Sequence, residues 1–249
     1  MKPVLLLLLV ASPALAAPMA SDRGRYEACL ALVKTEPVQA IATAQAWRIE
    51  NGGVPARHCL ALAQFAQRDY AAAWVSFDAA GTASEAAQDG QAVTIWSQAA
   101  DAALIAGQPE PAVRFLDRAI AGGGGSVSPR AEAALRVTRA EALVDLKRDK
   151  AAAVDLDTAT KLDPDVRYGW LLKATLARRM RDFKTAEAAI LAAAQREPDS
   201  ADVQYEAGNI AAAQGNDSLA RAAWLAAARA DPDSPAGIAA NKALTQSGD

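Results

Sequence analysis

This sequence is poor in the side chains that do chemistry. Its 249 residues include a single histidine, His58, two cysteines, Cys29 and Cys59, and only 5% aromatics. A His-Cys neighbour pair with one distant cysteine cannot supply the four ligands of a zinc site. The pair also makes a poor nucleophile and base, because adjacent helical residues point about 100° apart. Residues 122–125 are four successive glycines, yet no Gly-Lys-Ser/Thr follows them, so they form no phosphate loop. Asp155, Asp157, Asp163 and Asp165 miss the spacing of a calcium loop and read as solvated helix ends. No reaction, metal or cofactor is specified, and the chain reads as non-catalytic. An enzyme or small-ligand site around His58 and Cys59 is the chemical alternative.

Basic blocks are missing too. The formal net charge is −3, which argues against nucleic acid or anionic lipid as the main partner. Sustained period-two alternation of β-branched residues is absent, which argues against strands. The one long apolar run, residues 4–10, falls short of the roughly 20 helical residues that cross a bilayer. Preceded by Lys2 and followed by Ala14-Leu15-Ala16, it reads as a secretory signal cleaved after Ala16. That expectation places the mature chain in the periplasm, with no direct membrane span. In an oxidising compartment two thiols allow one intramolecular disulfide, Cys29 to Cys59; a pair of free buried thiols is the alternative.

What the sequence does have is periodicity. Pro164, Pro198 and Pro232 recur every 34 residues. In the same register come Ala152, Leu156, Ala159; Ala186, Ile190, Ala193; and Ala220, Trp224, Ala227. Each set is small, large, small at offsets of four and three, one stripe of a 3.6-period helix. Ala112, Leu116, Ala119 and Ala73, Phe77, Ala80 repeat the stripe upstream, and Ala40, Ala44, Trp47 repeat it with the sizes redistributed. Twelve residues before each stripe stands another small residue: Ala28, Ala61, Ala100, Ala140, Ala174 and Gly208. Two helix axes approach to about 8 Å only where small side chains cross, so each pair of small residues predicts one helical hairpin. Gly107 and Gly215 fall in turns, the three prolines stop second helices, and Asp165, Ser200 and Ser234 are candidate N-caps.

A helix–turn–helix of 34 residues with Ala-x-x-x-large-x-x-Ala in its second helix and a closing proline resembles the tetratricopeptide repeat. Trp96 and Trp170 fall where that family often carries an aromatic. Lys147 and Arg181 depart from it by replacing the usual turn glycine, and Arg139 and Lys173 by standing at usually apolar positions. The resemblance implies an all-α, right-handed α-solenoid of about six stacked hairpins with a C-terminal capping helix. The expected divisions are a signal at 1–16, N-terminal repeats at 17–121, a glycine-rich loop at 122–128, C-terminal repeats at 129–233 and a cap with tail at 234–249. The glycines serve as a hinge or as a plain surface loop.

The resemblance further implies a protein or peptide partner on the concave face, which first helices line. The candidate protein-binding residues there are Tyr168, Leu171, Thr175, Arg178, Arg179, Tyr205 and Asn209. Two arginines beside tyrosines and an amide suggest a partner with acidic segments. The expected role is a scaffold or adaptor of the cell envelope; a structural subunit of a membrane-associated envelope complex is the further alternative.

Overall fold

The structure, a computed structural model, describes residues 22–122 and 127–246. The expected signal, residues 1–16, lies outside the described residues, as do three of the four glycines, 123–125. Among the described residues there are thirteen helices and no strand. Helices α1 (Asp22–Thr35) and α2 (Pro37–Ile49) make the first hairpin, α3 (Gly53–Ala66) and α4 (Tyr70–Ala87) the second. The third is α5 (Ala92–Ile105) with α6 (Pro109–Gly122), the fourth α7 (Pro129–Asp145) with α8 (Asp149–Leu162). The fifth joins α9 (Arg167–Arg179) to α10 (Phe183–Arg196), and the sixth α11 (Ala201–Ala213) to α12 (Asp217–Ala230). Helix α13 (Pro235–Gln246) packs on α11 and α12.

Five of the six hairpin turns, all but the one between α1 and α2, share one geometry. Arg68, Gly107, Lys147, Arg181 and Gly215 are left-handed, with φ of 61°, 69°, 59°, 62° and 77°. The amide after each reaches back five residues, from Gln108 to Ala103 at 2.8 Å and from Asp182 to Ala177 at 2.9 Å, for example. This is a Schellman closure, which satisfies the last carbonyls of the first helix. Side-chain caps then start the next helix: Asp182 accepts from the Thr185 amide, Ser200 from Val203 and Ser234 from Gly237. Asp165 is not a cap. Helix α9 starts at Arg167 with Val166 before it, and the Asp165 amide instead bonds the Asp163 carboxylate at 3.0 Å, closing the turn after α8.

All six small–large–small stripes are buried, and so are Ala61, Ala100, Ala140, Ala174 and Gly208 at the crossings. Gly208 has no room for a side chain, since a Cβ there would lie 2.4 Å from the Trp224 ring. Ala28 departs from the pattern: it is exposed, and its neighbour Cys29 is buried in its place. Cys29 is bonded to Cys59 on α3 across a Cα separation of 6.3 Å, and a one-residue turn of α1 that aims Cys29 inward puts Ala28 in solvent. Asp155 is the other correction. It is no solvated helix end but a buried carboxylate held by Arg139 at 2.7 Å and Arg136 at 3.1 Å. Arg139 thus fills an apolar position with an ion pair rather than with looser packing.

One buried core runs from Val54 to Leu176 and includes Phe115, Leu116 and Ala119 of α6 with Ala133, Leu135 and Val137 of α7. The apolar interior is therefore continuous between the third and fourth hairpins. A second cluster joins α9, α10 and α11, and a third joins α11, α12 and α13. No helix among the described residues is long and apolar enough to cross a membrane.

Candidate protein-binding groove

Helices α5, α7, α9 and α11 turn their small residues, Ala100, Ala140, Ala174 and Gly208, toward their second helices. The residue following each, namely Asp101, Glu141, Thr175 and Asn209, is rotated about 100° away from that crossing. Between α5 and α7 this leaves a groove of about 370 Å³ whose walls include Thr94, Gln98, Asp101, Ala134, Leu135 and Thr138.

The seven candidate residues lie on α9 and α11, and the structure divides them. Tyr168 is half exposed and donates from its hydroxyl to Glu141 of α7 at 2.7 Å. Burial raises the Tyr168 phenol above its ordinary value, followed by the Glu141 bond and the negative charges of Glu141 and Asp202. Leu171 is half-buried against the α9–α11 cluster, Tyr205 against the cluster that holds Trp224, and Thr175 is half-buried with its side chain engaged by no recorded bond. Arg178 is taken: it donates to both oxygens of buried Glu206 at 2.6 and 3.2 Å. Asn209 is taken as well, donating to Glu206 at 3.3 Å and accepting from the Trp224 indole at 3.1 Å. Arg179 donates to both oxygens of Asp149, each at 3.2 Å.

Sequence reasoning missed the acids that face these residues. Glu206 and Asp149 absorb the two arginines thought free for a partner. Asp101 and Glu141 went unremarked, although each stands one place after the crossing alanine of its helix, the position that yielded Thr175 and Asn209.

The chemical alternative fares differently. Cys59 is in the disulfide, so it offers no thiolate. His58 is 7% exposed; its Nδ1 accepts from the Tyr26 hydroxyl at 2.6 Å and its Nε2 donates to Gln98 at 2.6 Å. Burial lowers its pKa, against the smaller opposing influences of Gln98 and Asp89. Both ring nitrogens are thus engaged in tying α1 and α5 to α3. Among the described residues no group of three or more His, Cys, Asp or Glu is placed to hold a metal ion.

A second cleft of about 480 Å³ opens on the opposite side, between α8 and α10 over α9. Trp170, Leu176 and Met180 contribute to its lining, and its Lys173 and Asp157 neutralise each other at 2.8 Å.

Stacked hairpins with an accessible row of first helices define an α-solenoid of the repeat class. The chain has the tetratricopeptide-repeat fold, and residues 171–235 match the sequence model of the tetratricopeptide repeat. No curated protein sequence matches the chain. Among solved structures it is similar to PilF of Pseudomonas aeruginosa, at TM-score 0.65 and 15% identity over 89% of this chain and 97% of that one. It is also similar to PilW, described as a type IV pilus biogenesis factor, at TM-score 0.67 and 14% identity over 88% and 97%. A third likeness is to YrrB, a repeat protein described as having an unusual peptide-binding site, at TM-score 0.60 and 19% identity over 80% and 96%. At these identities the likeness is one of fold.

Proposed function

We propose that this chain is a non-catalytic scaffold of the cell envelope that holds a protein partner along the concave face of its solenoid. The observation that carries the reading is the accessible row of first helices, where Tyr168, Leu171, Thr175 and Tyr205 stand on neighbouring elements α9 and α11. Tyrosine and leucine there offer apolar area with few rotamers to freeze, the composition of an anchoring surface. The disulfide between Cys29 and Cys59 favours an oxidising compartment, as the expected signal does. The periplasm meets both conditions, and PilW, which is similar in fold, is described as a type IV pilus biogenesis factor. The arginine pairs with Glu206 and Asp149 weaken the expectation of an acidic partner.

The test is photocrosslinking in intact cells from a reactive residue placed at Tyr205, with a second protein carrying it at Leu191 on α10. A defined partner captured from Tyr205 and not from Leu191 supports the groove. Capture from Leu191 alone rejects it.

A further inference from the structure

We propose that the groove over α5 and α7, continuing past Tyr168, receives a cationic segment of the partner, one that presents lysine or arginine to Asp101 and Glu141 and lays apolar side chains on Ala131 and Ala134. The inference rests on the reading of the concave face as the binding face, and it names the chemistry that face would select.

Charge is unevenly paired on the first helices α5, α7, α9 and α11. Every cationic side chain of α7 and α9 is already in an ion pair. Arg136 and Arg139 hold Asp155, Arg178 holds Glu206, Arg179 holds Asp149, and Lys173 holds Asp157. At the helix starts Arg130 meets Asp163 at 3.9 Å and Arg167 meets Glu197 at 3.5 Å. Helices α5 and α11 carry no Lys or Arg at all. Acids, by contrast, are left over. Asp101 of α5, Glu141 and Asp145 of α7 and Asp202 of α11 have no ion pair, and the bond recorded for the Glu141 side chain is the neutral one from Tyr168.

Asp101 lies on the wall of the groove itself. Its carboxyl is pushed up by burial first and by the Glu141 charge second, so the two carboxylates repel across the α5–α7 junction, and neither is in an ion pair. Tyr168 feels the charges of both Glu141 and Asp202, which extends the negative strip to α11. A cation set between Asp101 and Glu141 relieves that repulsion. The groove is the site, and the surplus negative charge selects its occupant. The opposite cleft between α8 and α10 makes no such selection, because its two lysines, Lys173 and Lys184, match its two aspartates, Asp157 and Asp182.

The experiment uses the full chain, immobilised, and pools of short labelled peptides with equal apolar content whose remaining positions are lysine, glutamate or serine. The proposal expects the lysine pool to be retained, and retention to fall with added salt. It also expects the double variant Asp101→Asn, Glu141→Gln to bind that pool on the order of tenfold more weakly, with its helix content and unfolding unchanged. Equal retention of the lysine pool by wild type and variant overturns it. Preferential retention of the glutamate or serine pool, displaced when Thr138→Trp fills the groove, overturns the cationic assignment and leaves the groove standing. Retention of no pool counts against both.

Discussion

Arg178 of α9 donates two hydrogen bonds to Glu206 of α11, at 2.6 and 3.2 Å, and so ties the fifth hairpin to the sixth across the open face. Glu206 is only 5% exposed, so Arg178 supplies the partner that its buried carboxylate needs. Arg178→Ala is expected to destabilise the chain by about 3 kcal/mol, because it strands that charge. Glu206→Gln, which removes the charge and keeps the shape, should cost clearly less. Urea unfolding of the two variants checks the order.

Lys147 occupies a left-handed turn position, at φ 59°, that Gly107 and Gly215 fill elsewhere in the same chain. A side chain in that conformation costs roughly 1 kcal/mol relative to glycine, and Lys147 is exposed with nothing to lose by truncation. Lys147→Gly should therefore stabilise the chain by about 1 kcal/mol and Gly107→Ala should destabilise it by a similar amount. Paired thermal melts decide the matter.

His58 is buried and neutral, with a pKa lowered from its ordinary value of 6.5, chiefly by burial. The unfolded chain therefore binds this proton more readily than the folded one. The contribution of neutral His58 is complete above the ordinary value and is lost as pH falls through it toward the lower folded value. Wild type should lose more stability between neutral and mildly acidic pH than His58→Gln does. A variant that tracks wild type over that window would remove His58 from the account.

The Cys29–Cys59 bond closes a separation of 30 residues and clips α1 to α3. Reduction should lower stability by about 3 kcal/mol, with α1 the first element to lose hydrogen-exchange protection. Alkylation of the native protein without reductant should label neither cysteine.

The fold was legible because its signal repeats. Ala152, Leu156 and Ala159 would mean little alone, but the same stripe 34 residues later, twice, marks stacked hairpins. The misses have a common cause, which is that a sequence gives a residue's position on a helix and not what lies opposite. Arg178 sits on the open side of α9, as its spacing says, yet Glu206 reaches it from the next hairpin. Asp155 looked like one of several acids at a helix end, and two arginines of α7 turn it into a buried anchor. Ala28 fitted an offset that holds for five other helices, and the bond from Cys29 to Cys59 rotates α1 past it.

The most direct measurement is hydrogen exchange of this chain with and without the partner captured from Tyr205. Slowed exchange concentrated in α5, α7, α9 and α11, with α8, α10 and α12 unchanged, is the predicted result. Protection confined to α8, α10 and α12 would place the partner on the outer face and contradict the account.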